Sequence, residues 1–384
     1  MPFYLGSGGN SVNASLSNSV CRPGSFLSGN AYIDIVTPTN FSAVELKIKG
    51  KECVHWVEHQ TRHKTVTYQE NGQTRTRQES YTVQVPHNGN RQIFKTVAII
   101  LPGGTMMQGQ FVVPFSFKLP ENIPGSFALS GTDFRCSVEY AAKVVVRVPG
   151  LLKSDLRNQI PIVVIQPPPT FSSQIIASTV VDVTVMCCVN RGRAEMSFST
   201  TKEAFFTGES AIVTSNVNNN SKSDLKRLTI KLRRSLTITA NDGRSFHIEQ
   251  TISEQQYPGL KASTSTQNLQ MNLQIPFNTP QQCFATSIQC LYSIRLAGKV
   301  RWGRDATCTV PAFVYQPYVD QPINPQFSAA WNPVCVQAVQ LSLASPVLVP
   351  PPVSLDMYPE FHTMNPSAPP LDLTAAQAAD GYSS

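Results

Sequence analysis

From Ala31 onward, apolar and polar residues alternate along the chain. Tyr32, Ile33 and Ile35 run into a turn at residues 37–40, and then Val44, Leu46 and Ile48 interleave with Glu45, Lys47 and Lys49. A period of two places one set on a buried face and the other in water, which predicts half-buried β-strands. The stretch from Arg62 to Val83 is polar and has Asn71-Gly72 at its centre. Asn-Gly supplies the positive φ angles of a type I′ turn, so this stretch reads as a long, exposed β-hairpin.

Phe111, Val113, Phe115, Phe117 and Leu119 share one parity and therefore one strand face. Pro114, within the same run, removes a ladder donor and suits an edge or bulge position. Further strands are expected from Cys136 and from Gln159, and a short helix within residues 150–159. Pro167, Pro168 and Pro169 then form a stiff break, a natural domain boundary. The second half is patterned in the same way, since "MSFSTTKEAFFTGESAIVTSNVNN", "KRLTIKLRRSLTIT", "LQMNLQIPF", "CLYSIRLAGKVRW" and "ATCTVPAFVY" are short strands parted by turn residues. The economical architecture is all-β: two immunoglobulin-like β-sandwiches in tandem, over residues 1–166 and 170–318, followed by a disordered Pro-rich tail over 319–384.

Composition supports this picture and adds an asymmetry. Charged residues make up only 14% of the 384, a mixture that suits strands and turns better than solvated helices. The net charge is +7, yet residues 319–384 hold five acidic residues and no Lys or Arg, which leaves +12 on the rest. A basic body docks on phosphorylated or acidic segments, on anionic lipid or on nucleic acid. No nucleic-acid-binding signature accompanies the charge, so the last is set aside. Nine cysteines without framework spacing point to reduced thiols. With no signal-peptide pattern and no run of about 18 apolar residues, the expectation is a soluble, cytoplasmic protein.

Several side chains invite a chemical reading. In "LKRLTIKLRRSL", Leu228, Ile230 and Leu232 fall on one strand face and Arg227, Lys231 and Arg233 on the other. Such a basic face grips phosphate or carboxylate through charge-assisted bonds, or is an ordinary solvated face. Lys47 and Lys49, with Lys51, form a similar, weaker stripe. His55, His59 and His63 are spaced by four, which gathers metal ligands on a helix but separates them by about 13 Å along a strand. Surface histidines are the expectation, with no metal or cofactor. Cys187-Cys188 reads as buried packing more readily than as a lipid anchor. No nucleophile motif surrounds Cys53 and no glycine loop is built to cradle phosphate, so no catalytic residue is assigned.

These residues also resemble a known family. "CRPGSFLSGNAYIDI", "VELKIKGKECVHWVE" with its aromatic at Trp56, and "VVPFSFKLPENIPGSF" followed by "VEYAAKVVVRV" are similar in order and spacing to the first half of the arrestins, most closely the α-arrestins. "VTVMCCVNRGRAEMSFSTTKEAFFTGESAIVTSNVNNNS" resembles the second half. The resemblance implies a non-catalytic adaptor in endocytosis and endosomal transport. Its body would hold the tails of membrane-protein cargo, with peripheral association at endosomal or plasma membranes, and its tail would recruit sorting machinery.

Within the tail, Pro366, Ser367, Ala368 and Pro369 resemble the P-[S/T]-A-P motif bound by the UEV domain of ESCRT-I. Such peptides suit an extended groove because their polyproline geometry is preformed. The P-P-x-Y element through which arrestin-like tails engage ubiquitin ligases is absent, because Tyr358 lies too far beyond the prolines at 350–352. A structural coat subunit resembling the arrestin-fold subunit of retromer is the alternative reading.

Overall fold

The computed structural model describes residues 9–150, 153–168, 174–184, 189–301, 303 and 305–317, together with the backbone of 185, 334–335 and 339–340. The first sandwich consists of β1 (Ser11–Leu16), β2 (Val20–Cys21), β3 (Phe26–Ile35), β4 (Thr39–Glu70), β5 (Gln73–Met106), β6 (Gly109–Lys118), β7 (Phe127–Ser130), β8 (Phe134–Arg147) and β9 (Leu156–Val164). One sheet runs β1-β3-β6. The other runs β2-β9-β8-β4-β5, with β7 also on β8.

The second sandwich consists of β10 (Ile175–Val185), β11 (Val189–Thr200), β12 (Ala204–Phe206), β13 (Ser210–Ser221), β14 (Leu225–Thr239), β15 (Ser245–Leu260), β16 (Thr264–Gln274), β17 (Cys283–Phe284), β18 (Ile288–Val300) and β19 (Ala306–Tyr315). Its sheets run β10-β11-β13-β16 and β12-β19-β18-β14-β15, with β17 on β18. Order and pairing thus repeat strand for strand, β1 to β9 as β11 to β19, and β10 is an addition. The repeat extends to side chains. Tyr140 on β8 donates its hydroxyl to the carbonyl of Pro124 at 2.6 Å, and Tyr292 on β18 donates to that of Pro280 at 2.8 Å. Burial pushes both phenols above their ordinary range, so they remain donors.

Alternation in the sequence becomes alternation in burial. On β14, Leu228, Ile230, Leu232, Leu236 and Ile238 are all fully buried, and on β4 so are Val44, Leu46 and Ile48. At the tip of the β4–β5 hairpin, Asn71 and Gly72 have φ of 53° and 75°, as the type I′ reading requires. The strands on either side are far longer than the polar stretch suggested, because they continue inward into the sandwich. Gly29, inside β3, allows a close approach: a Cβ there would lie 2.2 Å from the Ser15 carbonyl oxygen.

Two expectations change. The helix expected within 150–159 is not formed in its described part: residues 156–159 open β9, where Leu156 buries its side chain and Val146 pairs with it across the ladder. The run of 319–384 also contains strand: β20 (Val334–Cys335) and β21 (Val339–Gln340) pair in parallel with β6, Val334 opposite Phe111 and Val339 opposite Phe115. Other residues of that run lie outside the described residues.

Candidate partner-binding surfaces

The two sandwiches meet through polar side chains that arrive from distant parts of the chain and through Phe246 of β15, whose ring lies 5.7 Å from that of Trp56 and 5.4 Å from that of Phe134. Glu52 on β4, 2% exposed, accepts the backbone N–H groups of Thr286 at 3.3 Å and Ser287 at 2.7 Å, in the turn between β17 and β18. Gln281 donates to the carbonyls of Ser126 at 2.8 Å and Val164 at 3.3 Å. The tip of the β14–β15 hairpin reaches the middle of β5, where Asn241 donates its N–H to the Asn88 carbonyl at 3.0 Å.

Beside it, the buried His87 ring contacts Asp242 at 2.7 Å and Glu58 at 3.2 Å, and it stacks on Trp56 with centroids 4.0 Å apart. Arg244 completes the cluster with a 3.0 Å bond to Glu58. Bonds from Gln60 and His87 hold the Glu58 carboxyl below its ordinary value, and those from His87 and the Arg244 backbone do the same for Asp242. These bonds tie β4 and β5 of the first sandwich to the tip of the β14–β15 hairpin of the second.

The outer face of the second sandwich carries a shallow groove lined by five cations, Arg227, Lys231, Arg233, Arg295 and Lys299, and two carboxylates, Glu254 and Asp305. The structure therefore brings the three predicted cations of β14 together with two from β18. Lys231 stands opposite Arg295 across the ladder. Acidic neighbours neutralise part of the set: Lys231 pairs with Glu254 at 2.8 Å and Arg233 pairs with Glu249, while Arg227 bonds the Gln256 side chain at 3.1 Å. The Lys231 bond holds the Glu254 carboxyl below its usual value. Arg295 and Lys299 enter none of the described ion pairs.

On the first sandwich, Lys47 and Lys49 also lie outward on β4, with Lys95 of β5 directly opposite Lys49 and Lys143 of β8 directly opposite Lys47. Lys47 is bonded to Glu45 at 3.0 Å. Burial raises the Glu45 carboxyl, but bonds from Lys47 and Arg147 outweigh it and leave the group below its ordinary value.

Comparison with known proteins gives the architecture a name. The arrestin (or S-antigen) N-terminal domain matches residues 12–168, and the arrestin C-terminal domain matches residues 190–318. The chain belongs to the arrestin family. It is similar to "Arrestin domain-containing protein A" of Dictyostelium discoideum, with 23% identity over 318 residues, which cover 81% of this chain. The chain spans about half, 52%, of that relative's length.

Other residues named from sequence fall into place around the arrestin body. His55 bonds Asn88 at 2.8 Å and His59 approaches Asp133 at 3.4 Å, while His63 is exposed further along β4. Among the described residues, no group of three or more His, Cys, Asp or Glu side chains is placed to hold a metal ion. Cys53 is half-buried. Burial pushes the Cys136 and Cys290 thiols up to about 12 and raises Cys283 as well, which disfavours the nucleophilic thiolate. Cys187, Cys188 and the Pro366 to Pro369 motif lie outside the described residues.

Sequence reading missed Arg234, which breaks the parity rule for charge. It sits on the inward side of β14 at 9% exposure, opposite Tyr292 in the ladder, and donates to the Gln250 side chain. Its alternation with Leu232 and Leu236 was the available signal. The partners Glu52, His87 and Gln281 carried no local signal at all.

Proposed function

We propose that this chain is a trafficking adaptor that holds the acidic or phosphorylated tail of a membrane-protein cargo along the β14–β18 groove. The observation that carries the reading is the groove itself. In an arrestin double sandwich whose body is basic, Arg295 and Lys299 enter none of the described ion pairs and stand beside three further cations. Arginine forks bind phosphate and carboxylate through paired, charge-assisted bonds, and each is worth about 1.5–3 kcal/mol. An Arg227→Glu, Arg295→Glu double variant of the full chain is expected to bind a phosphorylated acidic peptide at least about tenfold more weakly than the parent. Equal binding by the two, measured by fluorescence anisotropy, would remove the groove from the reading.

The second half of the proposal concerns the tail. Pro366-Ser367-Ala368-Pro369 recruits the UEV domain of ESCRT-I, so the adaptor hands its cargo to endosomal sorting. The full chain is expected to bind a purified UEV domain with an affinity on the order of micromolar, as short extended motifs do, and to lose it when Pro366 and Pro369 become alanine. Titration calorimetry reads both. Undiminished binding by the double alanine variant would move the contact elsewhere.

A further inference from the structure

The lysine face of the first sandwich differs from the groove of the second in ways that identify its partner. The carboxylates described on this face are already engaged: Glu45 by Lys47 and Arg147, Glu139 by Lys51, and Asp155 by Arg147 and Arg157. None of the described ion pairs uses Lys49, Lys95 or Lys143. Lys49 stands directly opposite Lys95, and Lys143 directly opposite Lys47, so like charges face each other across two ladders. Such placement is unfavourable in the isolated chain, and an external negative charge relieves it.

The same face exposes aliphatic side chains. Val97 and Ile99, on the edge strand β5, are 47% and 56% exposed, opposite Lys47 and Glu45. We infer that this face is a contact surface for an anionic lipid bilayer. Lys49, Lys95 and Lys143 are point charges suited to a diffuse negative surface, whereas the forks of Arg147 and Arg157 on this face are already bonded to carboxylates and Arg135 stands apart at the far end of β8, opposite His55. The outer side of a β-sheet presents its charges as a broad array. Exposed Val97 and Ile99 add apolar area that an interface removes from water, which a soluble acidic peptide has no need of.

The surface goes beyond the cargo groove and fails or stands separately from it. Flotation of the full chain with vesicles of phosphatidylcholine alone, and with about 30 mol% phosphatidylserine, tests it. Binding is expected only with the anionic vesicles and should weaken as salt rises. Each lysine changed to glutamine should lower the partition coefficient about fivefold, so Lys49→Gln with Lys95→Gln and Lys143→Gln should lose well over tenfold. The corresponding triple arginine variant should bind as the parent does, and Arg227→Glu with Arg295→Glu should leave flotation unchanged. Val97→Ser with Ile99→Ser should weaken binding without altering its salt dependence. A melting temperature at or above that of the parent would show that the glutamine variant is folded. Flotation of that variant equal to the parent's, or equal binding of the parent to neutral vesicles, overturns the inference. Loss of acidic-peptide binding in the same variant would make the face a peptide site and overturn it too.

Discussion

A Glu52→Ala chain is expected to lose about 2–5 kcal/mol of stability, from about 1–3 kcal/mol for each of two buried amide donors left unpaired. Glu52 reaches from the first sandwich to the turn of the β17–β18 hairpin, and it accepts two backbone N–H groups there. Alanine leaves both donors without that partner at a position where the carboxylate is only 2% exposed. Glu52→Gln keeps one oxygen for the shorter Ser287 bond and should lose about half as much. Urea denaturation measures the difference, and faster hydrogen exchange at Thr286 and Ser287 would locate it. A loss under about 1 kcal/mol would mean that water enters the junction and satisfies the amides.

How far sequence alone reached follows from the range of each interaction. Val44, Leu46 and Ile48 declare a strand because the period of two is local, and Asn71-Gly72 declares a turn because φ is set by two residues. The length of β4 and β5 was hidden, since the hairpin beyond His59 is polar on both faces and has no core to alternate against. The expected helix at 150–159 gave way because Leu156 is claimed by a ladder with Val146, a tertiary preference that overrides a local one.

The sites divide in the same way. Arg227, Lys231 and Arg233 share a strand face by parity, so they were legible. Arg295 and Lys299 join them only through the register of β14 with β18. Likewise Lys95 and Lys143 reach Lys47 and Lys49 only through cross-strand pairing. His87 and Asp242 are 155 residues apart, and Glu52 and Ser287 235 apart, so no window of sequence contains either contact.

Phe198→Ala should cost the second sandwich about 4–5 kcal/mol, the upper part of the range for deleting a buried aromatic ring. Phe198 is 2% exposed on the inward face of β11, and its ladder neighbours are small: Ala177 on β10 and Ser215 on β13. Small flanking side chains cannot lean into the space that a lost ring leaves, so the cavity persists and its lining forfeits dispersion contacts. The Ser215 hydroxyl gives that space one polar wall. It is bonded only at length, 3.4 Å to the Leu269 carbonyl and 4.0 Å to the Met271 sulfur, and a single hydroxyl is too little to hold an ordered water, which needs two to four polar partners. Leu27, Ile33, Leu46 and Val113 fill the first sandwich, and its junction with the second is made of individual polar bonds and one small aromatic contact, Phe246 on Trp56 and Phe134. Unfolding of the variant should therefore separate into two transitions, with β11 and β13 amides exchanging in the first and β4 and β8 amides protected until the second. A single transition for all four strands would show that Glu52, His87 and Gln281 couple the sandwiches more tightly than each is held by its own core.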